Sequence, residues 1–235
     1  MAKHKALFIY LLLFAIMVLG ISITTYPHIM QQVYRNKAHR INMEFRQTAQ
    51  LSEETDIENL KLRMLEYNRE LFRTNQSKLT NAQAYETVDF DLGECGFEGG
   101  MAAYISIPVM DVELPIFLGA TKENMDKGAV LLSQTSLPVG GVNTNAVIAA
   151  HRGAATAAMF RDIELLSIGD SVYISNYFEE LEYRVVETEI ISPDDLDAVL
   201  IQPGKDLLTL ITCHPYRFNY QRYLVYAERV EGNEG

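Results

Sequence analysis

Three residues with side chains suited to acyl transfer lie at the ends of predicted strands. Cys213 follows the apolar run 207–212 and precedes Pro215, which has no backbone N–H to donate and therefore ends a strand. His151 closes the apolar run NAVIAAHRG, and Arg222 opens the run RYLVYAERV nine residues after Cys213. A strand end gives a functional side chain a rigid support. The pattern predicts that a thiol, an imidazole and a guanidinium converge in one cleft.

The three side-chain types complement one another chemically. A cysteine thiolate is a nucleophile, and a nearby cation lowers the pKa of the thiol. An imidazole can protonate a departing amine and deprotonate an incoming one. A guanidinium can donate hydrogen bonds to a developing oxyanion or hold a substrate backbone. The residues themselves therefore favour nucleophilic acyl transfer.

Other interpretations of the same residues stay open. A free cysteine is often a small buried hydrophobic residue, and Cys213 could also pair with Cys95 in a disulfide. A zinc site from Cys213, His214 and His151 is a formal alternative, but no paired ligand spacing supports it. His214 is a poor base for its neighbour because adjacent residues in a strand point to opposite faces. We interpret it as a residue at the rim of the cleft.

The net charge of −11 excludes one class of partner. Binding to nucleic acid needs a basic surface that releases counterions, so an acidic chain is not expected to bind it. The acidic cluster Asp194, Asp195 and Asp197 could hold a calcium ion, but a solvated loop is the simpler interpretation.

Residues 6–23 form an uncharged, almost wholly apolar run behind Lys3 and Lys5. As a helix, this run would reach about 27 Å, close to the hydrocarbon thickness of a bilayer. We predict a tail at 1–5 and a retained transmembrane anchor at 6–25. A cleaved signal peptide is the alternative, although its apolar region is usually shorter. The flanking charges alone do not fix the orientation.

The segment 26–97 has a helical pattern. Two helices are predicted, at about 28–49 and 54–74, because apolar residues recur at helical spacing and no glycine interrupts the chain from Pro27 to Phe90. An amphipathic face that packs on the main domain explains the pattern, and a dimeric coiled coil is the alternative. The glycine-rich stretch 93–100 marks the boundary to a main domain at 98–235.

The main domain is predicted to be mainly β. Short β-branched and aromatic runs bounded by turn residues indicate seven or eight strands, and therefore a closed barrel or a sandwich. One short helix is predicted at 160–168. The predicted strands are 103–109, 114–118, 146–150, 171–175, 182–191, 207–212 and 223–230.

Around the three candidate catalytic residues, the chain resembles the sortase family. The pattern Thr-Leu-x-Thr-Cys ends at Cys213, an arginine follows at Arg222, and a histidine lies upstream at His151. The sequence is most similar to class C, the pilin-polymerising sortases. Shared with that class are a His-Arg-Gly at 151–153, a Pro-Tyr after the cysteine at 215–216, and Asn219. The resemblance covers roughly residues 98–231.

This resemblance implies an eight-stranded β-barrel cysteine transpeptidase on the outer face of a Gram-positive membrane, with no metal or cofactor. Cys213 would attack the Thr–Gly bond of a Leu-Pro-x-Thr-Gly-like signal, and His151 would protonate the leaving amine. Arg222 would hold the substrate or stabilise the oxyanion, and Thr212 and Asn219 would bind substrate. The acceptor would be a lysine of the next pilin subunit. Partners would be pilins or other surface proteins that bear a sorting signal.

The sequence differs from class C in two features. They affect its assignment to that subclass more than the expected chemistry. Many class C enzymes have an Asp-Pro-aromatic lid and a second membrane helix, and we expect neither here. The nearest remnant of a lid is Asp89-Phe90-Asp91, so the site is expected to be open or gated by residues 85–100. A sortase that attaches proteins to peptidoglycan is the closest alternative function. A non-enzymatic barrel that binds a surface protein is a second one.

Overall fold

The computed structural model of the chain describes residues 2–86, 89–153 and 157–230. Helix α1 spans Ala2–Leu51 without a break. The sequence predicts a separate helix at 28–49, but α1 continues through Pro27. A proline inside a helix removes one backbone hydrogen bond, here the one to the carbonyl of Ile23. The Thr24 and Thr25 hydroxyls just before it donate to the carbonyls of Gly20 and Ile21. By length and composition alone, α1 is apolar enough to cross a membrane.

Helix α2 spans Glu54–Arg73 and confirms the helix predicted at 54–74. Its residues Leu60, Met64 and Leu71 are buried, so the apolar stripe packs within the protein. The buried Asn68 amide donates to the carbonyl of Leu137 at 3.0 Å and accepts from its N–H at 2.7 Å. This pair of bonds fixes α2 to a loop of the main domain.

The main domain is a closed eight-stranded β-barrel, which confirms the predicted fold. The strand order is β1-β2-β3-β4-β7-β8-β6-β5, and β5 pairs with β1 to close the barrel. The pairs β2–β3 and β4–β7 are parallel, and the others are antiparallel. The strands are β1 Met101–Ile107, β2 Val112–Leu118, β3 Ala129–Leu131, β4 Thr144–Ala149, β5 Ser171–Ser175, β6 Glu180–Ile191, β7 Asp206–His214 and β8 Gln221–Arg229.

The short helix predicted at 160–168 is not formed. That segment contains only the 3-10 turn Ile163–Leu165. Its apolar residues Phe160 and Ile163 face the core, and the Phe160 amide donates to the His151 carbonyl at 3.1 Å. Core packing and loop contacts of this kind, rather than helical periodicity, hold the segment.

A different short helix, α3, spans Lys122–Lys127. The Thr121 hydroxyl caps it by accepting from the Asn124 amide at 3.3 Å. The strand β3 that follows has only three residues, which is too short for its pattern to predict a strand.

Candidate active site

The ends of three neighbouring strands form the candidate site. Strand β4 runs parallel to β7, with Ala149 beside Ile211, and β7 runs antiparallel to β8, with Cys213 opposite Arg222. His151 follows two residues after the end of β4. Because the three strands are adjacent, His151, Cys213 and Arg222 line one groove of about 230 Å³.

Most of the groove wall is apolar. Cys213 is half-buried and its thiol is free, as is that of Cys95, so the two cysteines do not form a disulfide. Besides the three candidate catalytic residues and Thr212, two polar side chains line the groove, Tyr85 and Asp195. Burial, together with the nearby charge of Asp195, raises the pKa of Tyr85 to about 12. The apolar part of the wall includes Ala120, Met125, Leu132, Ile191, Val199 and Ile211.

His151 is about half exposed at the mouth of the groove. Its Nε2 lies 4.0 Å from Oδ1 of Asp126, a residue of α3. The pKa of Asp126 is lowered mainly by a hydrogen bond from Lys122 and to a smaller extent by His151. Nothing in the sequence pattern singled out Asp126, because α3 itself was not predicted.

Thr212, predicted to bind substrate, is buried and lines the groove. Its hydroxyl donates to the Ala150 carbonyl at 2.7 Å. Ala150 is the residue directly before His151, so this bond joins the histidine loop to the cysteine strand. The Thr212 hydroxyl is therefore bonded within the protein, whereas the resemblance implies that this residue binds substrate.

Arg222, the second residue of β8, is held by backbone carbonyls just before it in the chain. Its Nη1 donates to the carbonyls of Asn219 and Gln221, both at 2.9 Å. Within the described part of the chain, Nε and Nη2 of Arg222 have no protein hydrogen-bond partner, so they can donate to a group in the groove. Asn219 is exposed and does not line the groove, and it contacts Arg222 through its backbone. A substrate contact by the Asn219 side chain stays a prediction.

His214 points away from the groove, as strand alternation predicts, but it is not an exposed rim residue. Only 17% of its side chain is exposed, and its Nδ1 lies 3.3 Å from Oε1 of Glu164 and 3.3 Å from Nη1 of Arg152. These contacts lie on the opposite face of β7 from the groove. His214 is therefore not placed to act as a base for Cys213.

The segment proposed to gate the site divides into two parts. Tyr85 lines the groove, and its backbone carbonyl accepts from the amides of Ala120 and Ser133. Phe90 packs instead on Tyr67 of α2, with ring centroids 5.8 Å apart. Only the first part therefore lies at the groove, and residues 87–88 between the two lie outside the described residues.

Neither metal arrangement that the sequence left open finds support. Across residues 2–86, 89–153 and 157–230, no three His, Cys, Asp or Glu side chains come together as a set that could hold a metal ion. Asp195 lines the groove without such partners.

Comparison with protein families gives a match for residues 105–230, to the sortase domain. Among curated proteins, Sortase A of Bacillus anthracis is 33% identical over 126 residues, covering 54% of this chain and 58% of that protein. Sortase D of Bacillus subtilis is 29% identical over 135 residues, covering 56% and 65%. The matches thus span less than two thirds of these relatives.

Similar solved structures cover more of the chain. Sortase C1 of GBS Pilus Island 1 superposes with a TM-score of 0.73 at 30% identity, covering 84% of this chain and 94% of that one. Sortase C-1 from Streptococcus pneumoniae gives a TM-score of 0.72 at 31% identity, covering 81% and 98%. The structural neighbours are class C pilin sortases, whereas the similar curated sequences carry the names Sortase A and Sortase D.

Proposed function

This chain belongs to the sortase family of cysteine transpeptidases, and we propose that it cleaves a Leu-Pro-x-Thr-Gly-like sorting signal between Thr and Gly and transfers the acyl group to an amine. The observation that carries this proposal is the placement of Cys213, His151 and Arg222 along one groove. The largely apolar wall suits the Leu and Pro side chains of such a signal.

In the first half of the reaction, Sγ of Cys213 attacks the threonine carbonyl carbon and forms a C–S bond. The C–N bond to glycine then breaks, and the amine leaves with a proton from His151. The products are a thioester on Cys213 and a peptide with a free amino-terminal glycine. His151 is suited to this role because it lies exposed at the groove mouth, where a leaving peptide can depart.

In the second half, an acceptor amine attacks the thioester carbonyl and gives up a proton to His151. The C–S bond breaks, the Cys213 thiolate is restored, and a new amide links donor and acceptor. Arg222 would donate to the carbonyl oxygen as negative charge develops there in both halves. Thr212, which lines the groove, and Asn219, whose backbone carbonyl bonds to Arg222, would contact the substrate.

For the acceptor, we propose the lysine side chain of another pilin subunit. The support is the similarity to class C structures over more than four fifths of the chain, including 84% coverage for one of them. Attachment to peptidoglycan is a second candidate, because the similar curated sequences are named Sortase A and Sortase D. Both candidates share the thioester step and differ only in the amine that resolves it.

We also propose how the chain is arranged at the membrane. Residues 1–5 would form a cytoplasmic tail, 6–25 a single anchor, 26–97 a helical stalk and 98–235 the extracellular catalytic barrel. The support is the exposed apolar surface of the first part of α1. Residues 6–25 should retain the protein in membranes during alkaline extraction, and external protease should digest the barrel in intact protoplasts.

A sorting-peptide assay tests the activity. The wild-type protein should release the glycine-containing fragment, Cys213→Ala should not, and Cys95→Ala should behave as wild type. Cleavage by Cys213→Ala would refute the enzymatic proposal. Adding a lysine-bearing pilin or an amino-terminal cell-wall peptide then identifies the acceptor, because only the productive amine gives a covalent donor–acceptor product.

A further inference from the structure

Arg152 is a buried arginine beside the proposed catalytic histidine, and all of its contacts lie within the protein. Only 6% of its side chain is exposed. Nη2 pairs with Oε1 of Glu164 at 2.7 Å, and Nε donates to the Arg161 carbonyl at 3.2 Å. Nη1 donates to the Cys213 carbonyl at 3.2 Å and lies 3.3 Å from Nδ1 of His214. One guanidinium thus joins the segment 161–164 to the end of β7.

The contact to Cys213 extends the pairing of two strands. Beyond the last residue of β4, the Ala150 amide still donates to the Ile211 carbonyl at 3.3 Å. The Thr212 hydroxyl then donates to the Ala150 carbonyl, and Arg152 Nη1 donates to the Cys213 carbonyl. Side-chain hydrogen bonds therefore join β4 and β7 beyond their last backbone hydrogen bond. They hold the loop that carries the imidazole against the strand that carries the thiol.

Because the Arg152 guanidinium is buried, its hydrogen bonds must form with well-defined geometry. A buried charge must be paired and hydrogen-bonded, and arginine presents its donors in a rigid planar fork. Glu164 fixes one edge of that fork, and the hydrogen bond from Arg152 holds the pKa of the Glu164 carboxyl below its usual value. The ring of Tyr223 lies 5.8 Å from the guanidinium carbon. Lysine has the charge but no fork, so it cannot make these contacts together.

We propose that Arg152 is a positioning residue, which holds His151 at its working distance from Cys213 by bonding to the Cys213 carbonyl. This inference rests on the acyl transfer proposed above. Small displacements of reacting groups cost large factors in rate, and a shift of about 1 Å can cost roughly 100-fold. Arg152 faces away from the groove, so its loss should affect the chemical step more than substrate binding.

The variant Arg152→Lys tests the proposal, because loss of a positioning residue should lower kcat and leave KM nearly unchanged. We expect kcat for peptide cleavage to fall roughly 10- to 100-fold, with KM within about threefold of wild type and an unchanged circular dichroism spectrum. The matched control is Arg184→Lys, which alters the ion pair of the exposed Arg184 with Glu182 on β6 and should leave kcat unchanged. An unchanged kcat in Arg152→Lys overturns the proposal. If that variant does not fold, Glu164→Gln decides, with a smaller fall in kcat expected.

Alkylation of Cys213 gives a readout that needs no substrate. In a Cys95→Ala background, the pH profile of iodoacetamide reaction should shift in Arg152→Lys toward that of His151→Ala. The double variant Arg152→Lys with His151→Ala should show the same pH profile as His151→Ala alone, because Arg152 acts through the His151 imidazole. Additive effects in the double variant would overturn the proposal. If the wild type cleaves no sorting peptide, the proposed function fails, while this alkylation result still decides the role of Arg152.

Discussion

Cys213 on β7 and Arg222 on β8 lie directly opposite each other across an antiparallel pair. Residues opposite each other in such a pair point to the same face, with Cβ atoms roughly 5 Å apart. The next pair, His214 and Gln221, closes the ladder before the loop 215–220. The nine-residue spacing between thiol and guanidinium is therefore the length of one hairpin, and the register of that hairpin keeps both groups in the groove.

Arg222→Lys should lower kcat/KM for sorting-peptide cleavage by roughly 10- to 100-fold, since a lysine retains charge but loses the planar donors. Arg217→Lys is the matched control, because Arg217 lies in the loop that leads into β8, its guanidinium stacks over Tyr216 and it does not line the groove. Steady-state kinetics on both variants measures the effect. Equal losses in the two variants would show that the loop, rather than the Arg222 guanidinium, matters.

Tyr85→Ala should make Cys213 more accessible to large reagents. The side chain forms part of the groove wall, while backbone bonds from Ala120 and Ser133 keep the segment in place. In a Cys95→Ala background, we expect several-fold faster reaction with a bulky maleimide and little change with iodoacetamide. No acceleration with the bulky reagent would mean that Tyr85 does not restrict the site.

Met64→Ala should destabilise the packing of α2 on the barrel. Met64 is fully buried, and removing such a side chain costs about 2–5 kcal/mol through lost apolar contacts and a residual cavity. Leu62→Ala on the same helix is the control, because Leu62 is 56% exposed and should change the free energy of unfolding by less than about 0.5 kcal/mol. Denaturant titration compares the two. Similar losses at both positions would contradict the observed packing face.

Glu164→Gln should destabilise the protein at neutral pH and have less effect in acid. The carboxyl pKa is lowered in the folded state, first by the hydrogen bond from Arg152, so its ionised form stabilises the fold. That contribution is present above the ordinary value of 4.5 and disappears as the pH falls through the lower folded value. Because Glu164 is half exposed, we expect at most about 1 kcal/mol at pH 7.

Unfolding of wild type and Glu164→Gln should be measured from pH 7 down to pH 3. The difference in the free energy of unfolding should shrink over the acid part of this range. A difference that is constant with pH would show that hydrogen bonding or packing of the Glu164 side chain, rather than its charge, is responsible.

Much of the fold could be predicted from the sequence because strands carry local signals. Seven strands follow from short β-branched runs between turn residues, and the helix at 54–73 follows from its apolar stripe. The three-residue β3 and the six-residue α3 are too short for such signals. The helix expected at 160–168 shows the opposite error, since tertiary contacts there override a helical pattern.

The candidate site likewise has residues that the sequence indicates and contacts that it does not. His151, Cys213 and Arg222 could be selected from the sequence because strand ends are visible in it. The contacts of Arg152 with Cys213 and His214 join residues 61 and 62 positions apart, and no local pattern encodes which buried polar groups meet. For the same reason the buried environment of His214 and the position of Asp126 beside His151 became visible only in three dimensions.

Direct detection of the acyl-enzyme tests the central claim most sharply. The wild-type protein is mixed with a sorting peptide in the absence of added amine, quenched in acid within the first turnover, digested and mapped by mass spectrometry. We predict that the peptide ending in threonine is attached to Cys213 as a thioester that hydroxylamine removes, and that Cys95 is unmodified. Cleavage of the peptide with no adduct at Cys213, or with the acyl group on another residue, would contradict the account.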